Sequence, residues 1–489
     1  MGELYPEGRA RPDVSRCQEW APNEEILSHH ARRPPVPTPV GRLAVVTREE
    51  VRLKQQRTAG FAVARRWLIQ RLLSITSGGR PGLIDVSNLP TRLTMPLRRD
   101  GLDPVPLTPV AGDDGAVSKI GRILGINVWL VTDYEQARTI LADTTYSTDI
   151  RSLIGGGSEP GLIGGLGFTD PPDHTMLRKI LMPEFTTRRL SALQPAIERI
   201  VEDQLDVMEA AGPVADVVSD FAFPVPFQVI CELLGLPTTD RDRFRRLGHD
   251  RFDVEQGGAG IFGAISESRE FMREAVSKQR RAPGTGLIAA MLRTHGDQVD
   301  DDTIAGLADG VFTGGYETSA SMLALGTLAL LRDEQESHLM RTDDAAVNPT
   351  VDELLRHLSV VQIAFPRFAR SDVQLSGRRV RAGDVVICSL SRANRHDVFG
   401  LAPDRLDPHR QGPTHLAFGH GFHRCIGAEL ARMQLRVAFR ALVRRFPDMT
   451  LAIPPQDLRF RDLSIVYGLL ALPIRLHADA PSNSIPPTR

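Results

Sequence analysis

The chain has 489 residues, of which 42% are hydrophobic and 24% are charged, so it can bury a large core and has the composition of a globular protein. Its formal net charge of −1 excludes a global electrostatic attraction to nucleic acid or to an acidic membrane surface. The four cysteines are too widely spaced for a disulfide framework, which is typical of the reducing cytoplasm. We therefore expect a cytoplasmic protein that binds no nucleic acid.

The first 94 residues differ in composition from the rest of the chain. They begin with a polar stretch, which argues against a signal peptide, and continue with segments rich in proline and glycine. Residues 61–75, FAVARRWLIQRLLSI, predict a basic amphipathic helix that either docks on the domain or lies on a membrane surface, and docking is favoured. No uncharged apolar run reaches the roughly 20 residues of a membrane span, so we expect no transmembrane segment. We interpret residues 1–94 as an N-terminal extension of unknown role, partly disordered.

Helical periodicity dominates after residue 95. The predicted helical stretches are 116–142, 174–210, 217–235, 261–293, 303–340 and 427–446. Alternation typical of β-strands is confined to small patches, chiefly residues 372–390, where Ser376-Gly377 and Ala382-Gly383 predict turns. The sequence thus predicts a mainly α fold with a small β region (α+β) in a domain spanning residues 95–478, followed by a disordered tail at 479–489.

Two adjacent glycines interrupt the predicted helix at 303–340. Gly314 and Gly315 each cost about 1 kcal/mol relative to alanine in a helix interior, so a reason for both is needed. Glu317 and Thr318 follow directly and place an acid and an alcohol at this weak point. On its own, the pattern fits a packing or capping role slightly better than an opening that seats a small molecule.

Residues 414–432, THLAFGHGFHRCIGAELAR, place three histidines and Cys425 among glycines. Zinc is disfavoured because the loop lacks paired Cys and His ligands and the chain has no second cluster. A catalytic thiol would need a base and an orienting group, and a phosphate loop would need a surrounding strand–helix unit. A buried structural cysteine is the plainest alternative.

The segment after the cysteine favours a fifth reading. Cys425 immediately precedes a strong helical pattern, so backbone N–H groups and the positive end of the helix would stabilise a thiolate and lower the thiol pKa. The flanking Gly419, Gly421 and Gly427 would let a large planar group approach the backbone closely. This environment suits a thiolate ligand to haem iron.

The run from Phe418 to Gly427, FGHGFHRCIG, resembles the haem-binding loop of the bacterial cytochrome P-450 family, F-x-x-G-x-x-x-C-x-G. Further segments resemble the family in the same order, so that the likeness covers nearly all of the chain from residue 95 to about residue 478. The resemblance implies the family's triangular helical fold around a buried haem b (iron protoporphyrin IX).

The resemblance also implies site residues. Cys425 would be the metal ligand, and Glu317 and Thr318 would be the catalytic pair that delivers protons during dioxygen reduction. Two arginines and two histidines would serve as haem-propionate partners. The cofactor-binding residues implied in this way are His174, Arg178, Gly314, Gly315, Arg367, Phe418, Gly419, His423 and Gly427.

One motif implied by the resemblance is structural. The E-x-x-R of Glu353 and Arg356 would form a buried triad with a downstream arginine, for which the position of Arg395 is expected. These residues would determine the fold behind the haem.

The implied activity is that of a monooxygenase that inserts one atom of dioxygen into a small hydrophobic organic substrate. Electrons would come from NAD(P)H through a ferredoxin reductase and a ferredoxin-type donor, because the chain has no flavin domain and no iron–sulfur cysteine cluster of its own. A monomer is expected. Alternatives are a peroxide-driven enzyme, one that couples or desaturates its substrate, and a redox-silent haem-binding protein.

A basic repeat follows the cysteine. Arginines recur every four residues on the predicted helix, and they either pair within the protein or form a docking ridge for an acidic electron donor. These arginines are Arg432, Arg436, Arg440 and Arg444.

Overall fold

A computed structural model describes residues 90–106, 115–123, 125–149, 166–241, 244 and 267–477. All of them belong to the structural unit Ala59–Arg489. The predicted amphipathic helix at 61–75, nearly all of the predicted extension at 1–94 and the predicted tail at 479–489 lie outside the described residues.

Helices account for most of the described part of the chain, as predicted. Their bounds are α1 Thr91–Thr94, α2 Tyr134–Ala142, α3 Asp173–Leu181, α4 Thr187–Ala210, α5 Pro224–Leu234, α6 Glu267–Arg281, α7 Leu287–His295, α8 Asp301–Arg332, α9 Glu334–Thr342, α10 Asp344–Leu358, α11 Leu390–Ala393 and α12 Ala428–Arg445. Several predicted stretches are divided into shorter helices. A π-helical turn at Val218–Ala222 precedes α5, for example, and a 3-10 turn that contains Pro183 separates α3 from α4.

The strands form small sheets beside the helices. Their bounds are β1 Arg99–Asp100, β2 Asp103–Pro104, β3 Val117–Ile123, β4 Ile126–Val131, β5 Tyr146–Ser147, β6 Val214–Asp216, β7 Arg367–Ala369, β8 Val373–Leu375, β9 Arg378–Val380, β10 Val385–Cys388, β11 Thr450–Leu451 and β12 Pro473–Arg475. The largest sheet of the described residues has the order β3-β4-β10-β7-β5. Within it, β10 pairs with β4 in parallel, whereas β3 with β4, β10 with β7 and β5 with β7 are antiparallel.

The sheet overturns one predicted helix. Of the stretch 116–142, only α2 is helical, because β3 and β4 form an antiparallel hairpin. The apolar residues of this segment also satisfy a helical spacing, but most are β-branched, which favours strands. Gly125, with a φ of +85°, lies in the turn between the two strands. The strands and turns predicted within 372–390 are confirmed by β8, β9 and β10.

Helix α8 lies between two parts of the hydrophobic core. Its first half packs with α5, α6 and α7 through residues such as Phe312 and Tyr316. Its second half packs with α4, α10 and α12 through residues such as Leu323 and Leu328. Positions 314–318 lie where these two clusters meet, so the two glycines fall at a junction in the core.

Helices α8 and α12 approach each other closely. A Cβ at Gly326 of α8 would lie 2.3 Å from Cζ of Phe439 on α12, so only glycine allows this packing without a shift of the ring. The approach fixes α12, and with it the loop that carries Cys425, relative to α8.

The E-x-x-R pair is buried as expected, but its third member differs from the prediction. Glu353 and Arg356 form an ion pair at 2.7 Å, and the second arginine on Glu353 is Arg410, whose Nε lies 3.2 Å from Oε1. Arg395 instead donates to the carbonyl oxygen of His357 and pairs with Asp404. The prediction of Arg395 was wrong because sequence order does not show which arginine folds back onto Glu353.

None of the helices that the structure describes is both long enough and apolar enough to span a membrane.

Candidate functional site

The cysteine loop closes on itself immediately before α12. The backbone N–H of Cys425 donates to the carbonyl oxygen of Phe418 at 2.9 Å, and Gly421–His423 form a 3-10 turn between them. Gly427 is the N-cap of α12. The loop therefore presents Cys425 at the N-terminal end of a long helix, as the sequence predicted.

Two glycines with positive φ shape the loop in different ways. Gly419 has a φ of +69°, and a Cβ built on it would meet nothing within 4 Å. Gly421 has a φ of +72°, and its Cβ would lie 2.6 Å from Cα of Ala142 and 2.7 Å from the carbonyl oxygen of Leu141. Gly421 is thus required for the loop to pack on the end of α2, a structural role that the sequence pattern did not separate from cofactor binding.

The Cys425 side chain is exposed, whereas Cys231 and Cys388 are buried. Burial by the surrounding protein nevertheless raises the pKa of its thiol. The backbone N–H of Gly427 and the positive charge of Arg178 act in the opposite direction, but more weakly. Cys425 is therefore accessible although protein groups lie close around its sulfur. The expected lowering of the thiol pKa is not found, because burial outweighs the nearby N–H group and cations.

Helix α8 contributes the glycines and the acid–alcohol pair. Gly314 is exposed in a mostly buried helix, and a Cβ on it would meet nothing within 4 Å. A Cβ on Gly315 would lie 3.1 Å from Cδ1 of Ile230, so this glycine permits close approach to α5. The hydroxyl of Thr318 donates to the carbonyl oxygen of Gly314 at 2.7 Å. Gly314 and Thr318 therefore lie on the open side of α8, and Gly315 on a packed side.

Glu317 has a partner that the sequence did not indicate. Its Oε1 accepts a hydrogen bond from Nη1 of Arg461 at 2.6 Å, and the two side chains are each 6% exposed. Burial raises the pKa of Glu317 to about 7, although Arg461 acts in the opposite direction. No motif marks Arg461, which lies 144 residues further along the chain.

His174 and His423 come together beside the cysteine loop. The centres of their rings are 4.3 Å apart, and Nε2 of His423 lies 3.1 Å from the hydroxyl oxygen of Thr148. Burial lowers the pKa of His423 to about 3, so its ring is neutral near pH 7. Nε2 of His174 is buried without a hydrogen-bond partner among the described residues.

Of the two predicted arginines, Arg367 is buried and Arg178 is half-buried. Arg367 is 2% exposed, and its Nη1 donates to the carbonyl oxygen of Phe365 at 2.9 Å. Nε of Arg367 has no partner among the described residues. Burial lowers the pKa of Arg178, which lies close enough to Cys425 for their charges to interact. The side chains of His174, Arg178 and His423 thus gather near Cys425.

These residues fit a haem. The unpartnered nitrogens of His174 and Arg367 suit the propionates of a haem, because a buried donor needs an acceptor. The open surroundings of Gly314 and Gly419, and the exposed sulfur of Cys425, suit a flat macrocycle with a thiolate ligand. No cluster of three or more His, Cys, Asp or Glu side chains able to hold a metal occurs in the described ranges.

Comparison with known proteins also indicates a haem-thiolate protein. A family model described as Cytochrome P450 matches residues 247–459. Cytochrome P450 165B3 of Amycolatopsis orientalis is 38% identical over 387 residues, which cover 77% of this chain and 96% of that protein. Vitamin D3 dihydroxylase of Streptomyces griseolus is 34% identical over 372 residues, covering 74% and 90%.

Solved structures show the same fold. One is OxyC, described as a cytochrome P450 implicated in an oxidative C–C coupling reaction during vancomycin biosynthesis. Its TM-score is 0.68 at 35% identity, and the match covers 77% of this chain and 96% of that one. With relatives of this identity aligned over nearly their whole length, the chain belongs to the cytochrome P450 family of haem-thiolate monooxygenases.

Proposed function

We propose that the protein is a haem b monooxygenase that inserts one atom of dioxygen into a small hydrophobic organic substrate. Electrons come from NAD(P)H through a ferredoxin reductase and a ferredoxin. The observation that carries the proposal is the exposed thiol of Cys425 at the N-terminal end of α12. Helix α12 packs on α8 at Gly326, and α8 bears Gly314 and Thr318 on its open side. Membership of the family supports the reaction class.

Each site residue has a defined task in this proposal. Cys425 would ligate the iron, and the N–H of Gly427, which donates to its sulfur, would stabilise the thiolate. Arg178, Arg367 and His174 would donate hydrogen bonds to the propionates, since arginine favours carboxylates and a ring N–H of His174 can donate as well. A haem held there would supply the activation of dioxygen, and the Cys425 thiolate would favour cleavage of the O–O bond.

The chain itself handles protons. The Thr318 hydroxyl is held by the carbonyl oxygen of Gly314 at 2.7 Å, which fixes its oxygen on the open side of α8. From there it accepts and passes on a proton. Glu317 is the adjacent acid, and with a pKa raised to about 7 by burial it can both take and give a proton near neutral pH.

The electron donor docks on a basic area beside the cysteine loop. Of the arginine repeat on α12, Arg432 pairs with Asp352 and Glu429, and both Arg440 and Arg444 pair with Asp344. Three of these four arginines therefore already have an acidic partner, although Arg440 and Arg444 share one carboxylate. Arg436 has no ion pair within the described part of the chain, and together with Arg424 it offers an acidic ferredoxin a smaller basic surface than the full ridge.

The test is aerobic turnover with a surrogate ferredoxin, its reductase and NADPH, over a panel of hydrophobic compounds in the presence of isotopically labelled dioxygen. The proposal expects a product that carries one labelled oxygen atom. Turnover that needs peroxide and ignores the electron donors would favour the peroxide-driven alternative. Consumption of neither oxidant with any compound would favour a redox-silent haem protein.

Oxidative coupling is a second candidate, because the matched structure of OxyC is described as implicated in a C–C coupling reaction. A coupling enzyme joins two carbon atoms of its substrate with loss of two hydrogen atoms and incorporates no oxygen. Mass spectrometry of the product from an aromatic peptide substrate distinguishes the two: gain of labelled oxygen supports insertion, whereas loss of two hydrogens supports coupling.

A further inference from the structure

Arg432 of α12 is buried against the start of the cysteine loop, although it belongs to the arginine repeat of that helix. Its side chain is 10% exposed. Its Nε lies 2.7 Å from Oδ1 of Asp352 on α10, and its Nη1 lies 2.8 Å from Oε1 of Glu429 on α12. Carboxylates from two different helices therefore fix the guanidinium group.

The fixed guanidinium group lies over the ring of Phe418, the first residue of the loop. Its Cζ is 4.8 Å from the ring centre, which is close enough for a cation–π attraction. The carbonyl oxygen of the same Phe418 accepts the backbone N–H of Cys425 at 2.9 Å. Arg432 thus contacts the residue whose backbone closes the loop on the thiol.

The charge of Arg432 also acts on the sulfur. Burial raises the pKa of the Cys425 thiol, and the positive charges of three arginines oppose this rise. They are Arg178, Arg424 and Arg432. Within the described part of the chain, Arg432 is the one of these three that pairs with carboxylates. The net effect at this position therefore depends on a balance of opposite charges.

The two carboxylates cancel the charge of Arg432 only in part. The side chains of Asp352 and Glu429 are 51% and 57% exposed, so water screens their charges more than that of the buried guanidinium group. Burial acts to raise the pKa of Asp352, but His415 and Arg432 beside it lower that pKa to about 2. Asp352 is therefore charged at neutral pH, and its charge opposes that of Arg432.

We propose that Arg432 is a positioning residue that sets how readily the bound haem accepts an electron, and that Asp352 tunes this effect by partly cancelling the charge of Arg432. The inference rests on the proposed function, in which Cys425 ligates the iron. The step concerned is the transfer of one electron from the external donor to the ferric iron, which becomes ferrous. A positive charge near the thiolate favours the added electron, whereas a negative charge opposes it.

The first test is a spectroelectrochemical titration of the full-length haem-bound protein, which measures the midpoint potential without turnover. Arg432→Gln should lower the equilibrium constant for reduction by about tenfold, which is about 59 mV for one electron. Asp352→Asn should raise the constant by about twofold or more, a smaller change because this carboxylate is half exposed. The double variant should lie between the two single variants.

Three variants serve as controls for this titration. Arg432→Lys keeps the charge and should keep most of the wild-type potential. Arg445→Gln removes an arginine that pairs with Glu209 at 2.7 Å, about 20 Å further along α12 and beyond the range of screening, and should leave the potential unchanged. Arg445→Lys is its charge-conserving counterpart.

The signs of the shifts decide between an electrostatic and a merely structural role. If Arg432 and Asp352 only brace the loop, both single variants should shift the potential in the same direction, and this result would overturn the inference. If Arg432→Gln fails to retain haem, Asp352→Asn still decides the question: a raised potential supports the inference, and an unchanged or lowered potential contradicts it.

The second test is a double-mutant cycle between Arg432→Gln and Phe418→Leu, measured by urea unfolding of the same protein. The cation–π contact predicts a coupling of about threefold or more in the unfolding constant, and the matched cycle with Arg445→Gln should show none. Absence of coupling between Arg432 and Phe418 would contradict the positioning role. Failure of the proposed function would appear separately, as a missing thiolate band in the carbon monoxide spectrum of the wild type.

Discussion

The backbone N–H of Cys425 donates to the carbonyl oxygen of Phe418 at 2.9 Å, and this bond closes the loop that carries the thiol. The residues between them form a closed loop in which Gly419 and Gly421 have different structural roles. The geometry of the loop therefore depends on its backbone conformation as much as on the identity of the cysteine, and its glycines give the first prediction.

Gly421→Ala should destabilise the fold more than Gly419→Ala. Both positions have positive φ, which costs about 1–2 kcal/mol for a residue with a Cβ. At Gly421 the new methyl group also meets backbone atoms of Leu141 and Ala142, which adds about 1–3 kcal/mol of overpacking. Urea unfolding of the two variants measures the difference, and equal losses of stability would contradict the close packing of the loop on α2.

The glycine pair of α8 should also respond unequally. Gly314→Ala should stabilise the haem-free protein by up to about 1 kcal/mol, because the new Cβ meets no protein atom and alanine favours helix. Gly315→Ala should gain less, since its Cβ would lie 3.1 Å from Cδ1 of Ile230 and that side chain must shift. Thermal unfolding of the two variants measures the difference in stability. A larger gain for Gly315→Ala would show that the open side of the helix is assigned to the wrong glycine.

Arg410 should couple energetically to Glu353, and Arg395 should not. The side chains of Glu353 and Arg410 are 6% and 8% exposed, so the ion pair is little screened by solvent. We expect a coupling energy of about 1 kcal/mol or more between Glu353→Gln and Arg410→Gln. The same cycle with Arg395→Gln should give a value within about 0.5 kcal/mol of zero. A larger coupling energy to Glu353 for Arg395 than for Arg410 would instead make Arg395 the third member of the triad.

Thr318→Val should separate electron consumption from product formation. The substitution keeps the shape of the side chain but removes the hydroxyl that donates to Gly314, so a proton can no longer pass through it. The ratio of product to NADPH oxidised should fall severalfold, while Thr318→Ser should keep most of it. An unchanged ratio in Thr318→Val would exclude the hydroxyl from proton handling.

Much of the site could be predicted from the sequence, because its motifs are local. The cysteine loop is contiguous and precedes a strongly periodic helix, and the two interior glycines mark the junction of α8. Long-range partners could not be predicted: Arg461 reaches Glu317 only after its segment packs on α8, and Arg410 reaches Glu353 only after its loop folds back. The β3–β4 hairpin was missed because its apolar spacing also fits a helix.

The most direct test of the central claim is the carbon monoxide difference spectrum of the reduced full-length protein, wild type beside Cys425→Ser, with Cys388→Ala as the matched control at a buried cysteine. If Cys425 ligates the haem iron, wild type and Cys388→Ala should show the red-shifted Soret band of a thiolate-ligated haem, and Cys425→Ser should lose it. A Soret band without that shift in wild type, or a shift that survives in Cys425→Ser, would contradict the assignment.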